Sequence, residues 1–273
     1  MCNLQLMNYS IYLMALSVGR FNPEVNDEGI QHLAGLNHLT SLNLHRKPVS
    51  GVGLAAMGAM PNLEKLVLRH TDIGNDALAK MRQFKSLTEL DVFDTLIDDD
   101  GTQHLAQLSN LVRLNLGQTR IGDRSLQNLR GMSRLRELDL QATHIDGNGL
   151  VGLGVLASLT SLRLAETQLN DETLANLASF KNLRTLDLAH TKLKDNLGPL
   201  SRLRQLEVLN LAWTELTDEG VLQLTGASQL INLGIEYTKV SDVGIAALAN
   251  LTEVTTLSLA GNDIGDGALA HLR

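Results

Sequence analysis

The sequence predicts an α/β solenoid: a right-handed, horseshoe-shaped stack of short repeats, with a concave parallel β-sheet on one side and short helices on the convex side. Three observations carry this prediction. Leucine supplies 57 of 273 residues while aromatics total 3%, so the interior is built almost entirely from one branched aliphatic side chain. The pattern Leu-x-x-Leu-x-Leu starts at Leu39, Leu63, Leu87, Leu111, Leu135, Leu159, Leu183, Leu206 and Leu230, and Val254 opens a last copy. A fixed period of this kind marks stacked supersecondary units. The eight copies from Leu63 to Leu230 continue with Thr at the ninth position and an aliphatic at the eleventh, from Thr71/Ile73 through Thr238/Val240.

The elements follow in chain order within each repeat. In Leu-x-Leu the two leucines point to one side of a strand and their neighbours to the other, so every repeat donates one short strand to a parallel sheet. The recurrent Thr stands where the chain leaves the sheet, and its hydroxyl is predicted to hydrogen-bond nearby turn backbone. Next comes Asp at a fixed offset (Asp99, Asp123, Asp171, Asp195, Asp218, Asp242, Asp266), ahead of apolar residues three apart such as Leu78, Met81 and Phe84. Asp before a helical pattern reads as an N-cap, which predicts one short helix per repeat on the far face. Helices are wider than strands, so the stack bends with its sheet inside.

The chain reads as one domain, 1–273, with an irregular N-terminal cap over 1–38 and regular repeats over 39–273. Val25-Asn26-Asp27-Glu28-Gly29-Ile30 begins a further repeat whose strand is predicted at Leu16-Ser17-Val18. Leu4-x-Leu6 and Ile11-x-Leu13 are read as a truncated strand pair over the open end. The repeat spacing is 24 residues except in the unit 183–205, which has 23. That unit contains Gly198-Pro199, a poor helix interior, so local curvature and spacing should change there. No polar cap follows the last repeat, so the expectation is either that the chain is trimmed there or that this end is protected by assembly, homo-association through the last repeat being the form of assembly considered.

These residues resemble the leucine-rich repeat family, whose signature Leu-x-x-Leu-x-Leu-x-x-Asn/Cys-x-Leu has Thr here in place of Asn or Cys, with Asn262 restoring the Asn form. The resemblance covers residues 13–273. The variant is similar to the bacterial 24-residue kind, and Gly29-Ile30-Gln31-His32-Leu33-Ala34, Gly101-Thr102-Gln103-His104-Leu105-Ala106 and Gly267-Ala268-Leu269-Ala270 resemble GALA repeats of plant-pathogen effectors. The 183–205 unit resembles the shorter repeats of internalin-like proteins, in which a 3₁₀ turn replaces the helix. The resemblance implies a protein–protein interaction module that binds its partner on the concave face, as a bacterial scaffold or host-directed effector. No F-box is apparent, and there is no room for a ligase domain.

Charge and composition remove several other classes. A net charge of −7 opposes sequence-independent nucleic-acid binding, which needs a Lys/Arg surplus to neutralise phosphates, and equally opposes anionic membranes. The single cysteine, Cys2, excludes an internal disulfide and a four-cysteine zinc site. The apolar stretch Ile11–Val18 is followed, not preceded, by Arg20, the wrong order for a secretory signal. No apolar run approaches the roughly 18 residues of a membrane span. A cytoplasmic protein, or one exported without a signal peptide, is expected.

Chemistry-bearing motifs are absent: there is no Walker A loop, His-Glu-x-x-His, Gly-x-Ser-x-Gly or Cys-x-x-Cys. No enzyme activity, cofactor or metal is expected. Gly149–Gly154 falls in a helix arc, not a phosphate loop. Asp98-Asp99-Asp100-Gly101 lacks the bidentate Glu of a helix-loop-helix calcium site and reads as a solvated turn. His70 and His190 lie five repeats apart and cannot share a metal. The sequons at Asn8 and Asn250 are read as accidental.

Function is therefore sought on the solvent side of the strands. The residues between the leucines form a column, Asn43, Val67, Asp91, Asn115, Asp139, Arg163, Asp187, Asn210, Gly234 and Ser258, in which acids are interrupted by neutral residues and one Arg. The two residues after the second Leu include Phe93, Ala165/Glu166, Ala189/His190, Ala212/Trp213 and Glu236/Tyr237. Trp213 and Tyr237 occupy one column in adjacent repeats, beside His190, Glu166 and Glu236. Large aromatic residues dominate binding hot spots. The candidate partner-binding residues are thus Trp213, Tyr237, His190, Glu236, Glu166, Phe93, Arg163 and Asp187. Two other readings stand beside this one: Trp213 simply covers the sheet edge, or His190, Glu166 and Trp213 serve a small molecule, for which an apolar pocket is required.

Overall fold

The computed structural model describes residues 13–18 and 25–272. The strand pair predicted in the first dozen residues, Cys2, the Asn8 sequon, Arg20 and Arg273 lie outside the described residues.

Among the described residues, eleven three-residue strands pair in sequence order into one parallel sheet. They are β1 (Ala15–Ser17), β2 (Ser41–Asn43), β3 (Lys65–Val67), β4 (Glu89–Asp91), β5 (Arg113–Asn115), β6 (Glu137–Asp139), β7 (Ser161–Arg163), β8 (Thr185–Asp187), β9 (Val208–Asn210), β10 (Asn232–Gly234) and β11 (Thr256–Ser258). The register places leucine on leucine across the sheet, as in Leu42↔Leu66 and Leu209↔Leu233. Opposite it lie short helices: α1 (Asp27–Ile30), α2 (Gly51–Ala56), α3 (Asn75–Lys80), α4 (Asp99–Thr102), α5 (Asp123–Asn128), α6 (Leu150–Leu153), α7 (Asp218–Gln223), α8 (Asp242–Leu248) and α9 (Asp266–Leu269). Between the two layers runs one continuous leucine core, from Ile30 to Ala268. Burying a leucine side chain contributes about 2 kcal/mol, so the several buried in each repeat outweigh the weak intrinsic stability of three-residue strands and short helices.

The Thr expectation is met in detail. Each Thr hydroxyl donates to the carbonyl three residues back, from Thr71 Oγ1 to Leu68 O at 2.6 Å through Thr238 Oγ1 to Ile235 O at 3.0 Å. The bond stays inside its own repeat. Asn262 reaches further: its Nδ2 donates to Ile235 O at 2.8 Å and its Oδ1 accepts the Thr238 N–H at 2.7 Å.

The Asp expectation is corrected. The N-cap of each helix is the residue before the Asp: Asp98, Gly122, Thr217, Ser241 and Gly265 for α4, α5, α7, α8 and α9. The Asp side chain instead crosses to the next repeat and caps that unit. Asp218 accepts the Ser241 and Gly244 N–H groups at 2.8 and 3.0 Å and the Ser241 hydroxyl at 2.7 Å. Asp27, Asp99, Asp123, Asp171, Asp195 and Asp242 make the same hand-over. This geometry explains the recurrent glycine of the half-repeat, because a Cβ on Gly244 would stand 2.4 Å from Asp218 Oδ1. In α5 the place is taken by Ser125, whose hydroxyl itself bonds Asp99.

The short repeat behaves as predicted on the helix side, where Gly198–Arg202 is a 3₁₀ turn. The sheet does not register the missing residue, since Thr185 pairs with Val208 and Asp187 with Asn210. The preceding repeat is also 3₁₀, over Leu174–Ser179, although it has the full 24 residues. Ahead of it Asn170 Oδ1 takes the Glu172 and Thr173 N–H groups at 3.0 and 3.2 Å, as Asn26 does ahead of α1. No helix among the described residues is long and apolar enough to cross a membrane.

Candidate functional site

Strands β2 to β10 leave the sheet through the same strained turn. Nine non-glycine residues, Arg46, His70, Asp94, Gln118, Ala142, Glu166, His190, Trp213 and Tyr237, hold φ between +51° and +60°. The left-handed conformation costs an L-residue about 1 kcal/mol or more. It is held by a further rung beyond the strands, in which the N–H of the strained residue donates to the next repeat, as from Trp213 N to Glu236 O and Tyr237 N to Ala260 O, both at 2.8 Å. The side chains of this row line the exit edge of the sheet.

The column between the leucines has a structural task that sequence reasoning missed. Asn43, Asp91, Asn115, Asp139, Asp187 and Asn210 each accept the backbone N–H two residues on, at 2.9–3.2 Å. The signal was present as an Asn/Asp preference at this position. Asn performs the task as well as Asp, so the task does not require charge.

The two halves of the open face differ in character. Over β3–β6 the first strand residues form an ionic ladder: Lys65 pairs with Glu89 at 2.9 Å, and Arg113 bridges Glu89 and Glu137, the latter at 2.9 Å. Burial alone would raise the Glu89 carboxyl, but Lys65 and Arg113 bring it below its ordinary value. Asp91 lies 3.7 Å from Arg69, and Asp139 3.3 Å from Arg163. A hollow over these strands is lined by the same charged groups and excludes the aromatic residues of the later repeats.

Past β7 the ladder ends and a different surface begins. The Trp213 and Tyr237 rings stack with centroids 3.9 Å apart and planes at 16°, and His190 stacks on the other face of Trp213 at 5.1 Å and 10°. Tyr237 in turn lies against Gly261, where a Cβ would fall 2.4 Å from the ring. Trp213 is 50% exposed and Tyr237 49%. Beside the stack, Ala165, Ala189 and Ala212 form a small nearly buried cluster of their own. Glu166 precedes His190 in the exit row, and Glu236 follows Ala212 in the alanine row. Asp187 stands on the same strand face as Ala189, two residues earlier. The result is a trough: an alanine floor, an aromatic wall, a carboxylate across from it and a glutamate at each end. With strands about 4.8 Å apart, it spans roughly 15 Å.

Of the eight candidate residues, the structure gathers Trp213, Tyr237, His190, Glu166, Glu236 and Asp187 around this trough, with Arg163 at its border and paired to Asp139. Phe93 is elsewhere. It follows β4, is 7% exposed, and is pressed between the Arg69 guanidinium, 4.4 Å from its centroid, and Gly117. His70 lies edge-on against it at 5.6 Å and is itself bonded to Asp94 at 2.5 Å. Ala165 and Gly261, outside the eight candidates, complete the trough floor and the stack's end.

The comparisons with known proteins agree with this architecture. A family profile described as leucine-rich repeat matches residues 59–81, 203–224 and 250–270. No curated protein matches the chain. Among solved structures, an internalin (InlF) from Listeria monocytogenes is similar at a TM-score of 0.68 and 21% identity, over 89% of this chain and 74% of that one. A leucine-rich repeat protein from Leptospira interrogans gives 0.64 and 19%, over 89% and 72%. The plant peptide hormone receptor RGFR1, solved in complex with RGF2, gives 0.52 and 17%, over 88% of this chain but 47% of that receptor. With its repeat period, its sequential parallel sheet and these neighbours, the chain folds as a leucine-rich repeat solenoid.

Proposed function

We propose that this protein is a non-catalytic interaction module whose concave face receives an extended segment of a partner protein in the trough beside the His190–Trp213–Tyr237 stack. The supporting observation is the stack itself: two large rings, each half exposed and held rigid by mutual stacking, beside an alanine floor, in a chain whose core uses few aromatics. Each stacked pair contributes about 1 kcal/mol beyond burial, so the rings are fixed before binding and lose little entropy on contact. The 24-residue, Gly-x-x-x-Leu-Ala repeats resemble those of GALA-like bacterial proteins, and that resemblance supports reading the module as an effector or scaffold. A reaction at His190 and Glu166 has little support, since both are exposed and stand outside the hollow of the open face.

The test is affinity capture from lysates of the source organism and of a candidate host, with wild type and Trp213→Ala/Tyr237→Ala side by side. A protein retained by wild type and lost by the folded double variant supports the reading; identical capture by both overturns it.

A further inference from the structure

We propose that the trough selects a cationic segment, with Asp187 receiving the guanidinium or ammonium group of an Arg or Lys side chain that crosses the alanine floor. This inference rests on the peptide-binding reading and adds the chemistry of the occupant.

The argument starts from what each carboxylate on the open face already does. Asp91 has Arg69, Asp139 has Arg163, Glu89 has Lys65 and Arg113, and Glu137 has Arg113. Asp187, Glu166 and Glu236 form no ion pair among the described residues. The close partners of Asp187 are neutral, the Ala189 N–H at 3.2 Å and the Asn210 amide. Burial raises its carboxyl above the ordinary value, against the lowering by that N–H and by the more distant Arg163. Asn43, Asn115 and Asn210 cap the same backbone N–H without charge. The charge of Asp187 is therefore spare: it serves neither the turn nor an internal pair, and it costs stability where it stands.

The surroundings fit one kind of side chain. An Arg or Lys stem is aliphatic and lies well over methyl groups while its head seeks a carboxylate, and the floor here is Ala165, Ala189 and Ala212. Glu166 and Glu236 put further negative charge at the two ends, which steers a basic segment into the trough and disfavours an acidic one. The roughly 15 Å between the ends accommodates about four or five extended residues at ~3.3 Å each.

The experiment is selection of a phage-displayed library of random linear peptides on wild type, Asp187→Asn and Trp213→Ala/Tyr237→Ala, each shown to be folded by its urea transition. The expected result is a wild-type consensus with Arg or Lys at one fixed place. A synthetic peptide of that consensus should bind Asp187→Asn about tenfold or more weakly, and replacing its basic residue by Gln should abolish the difference between wild type and variant. A wild-type consensus lost in the aromatic double variant but without a fixed basic residue, or bound equally by Asp187→Asn, overturns the cation assignment and leaves the peptide reading standing. Equal recovery from all three proteins overturns both.

Discussion

Replacing Asp218 by Ala should destabilise the repeat that follows it, not its own helix. The carboxylate takes two N–H groups and a hydroxyl at the start of α8, and hydrogen bonds to an ionised acceptor contribute about 1.5–3 kcal/mol each before water replaces them. The site is part-buried, so water recovers some of this, and the loss is that of a strong cap, about 2–3 kcal/mol. Asp218→Asn keeps an acceptor oxygen and loses the charge, for about 1 kcal/mol. Asp266→Ala is the internal control. It sits at the same repeat position but accepts no side-chain hydrogen bond among the described residues, leaving only a first-turn dipole contribution of about 0.5 kcal/mol. Urea unfolding followed by Trp213 fluorescence reads the effect, because Trp213 is the only tryptophan and shares a repeat with Asp218. Equal losses for Asp218→Ala and Asp266→Ala would refute the inter-repeat capping argument.

Three further outcomes are expected. Ala142→Gly, at φ +53°, should raise stability by up to ~1 kcal/mol, the relief of the left-handed strain less the extra freedom of the unfolded chain; a loss in the urea transition would show that the exit turn is not strained. Gly261→Ala combines φ +75° with a Cβ 2.4 Å from the Tyr237 ring, so it should cost about 1–3 kcal/mol and shift Trp213 emission as the stack is displaced, whereas an unchanged spectrum would sink the stacking account. Asp187→Asn should stabilise the protein at pH 7, because the folded-state carboxyl is raised by burial. For an acid shifted upward the penalty is complete above the folded pKa and disappears as pH falls through it towards the unfolded value near 3.9, so the advantage of Asn measured by urea midpoint should shrink between pH 7 and pH 4.

The repeat period made the sheet legible, because a strand needs only its own side-chain alternation and the leucines are in phase throughout. The Asp ladder was legible as a position but not as a contact. An Asp one residue inside a helix looks like a cap in one dimension, and only the stacking of units shows that its oxygen lies closer to the next helix start than to its own. The 3₁₀ turn at Gly198–Arg202 was announced by Gly198-Pro199, whereas that at Leu174–Ser179 carries no comparable Gly-Pro signal in its sequence. At the site, the shared column of Trp213 and Tyr237 was readable from spacing. The ring stacking and the burial of Phe93 were not, since both depend on φ and on the glycine beside each ring, Gly261 and Gly117.

The strained exit row has a consequence for how such a surface changes over time. All nine side chains there suffer the same backbone penalty whatever their chemistry, and the bond that holds each turn uses main-chain atoms only. The scaffold therefore accepts many different L-residues in the row, none of the nine being branched at Cβ. Arg, His, Asp, Gln, Ala, Glu, Trp and Tyr all stand there in one chain, like letters set in a frame that does not depend on the word. A new partner can be recognised by resetting this line while the leucines, threonines and aspartates behind it stay as they are.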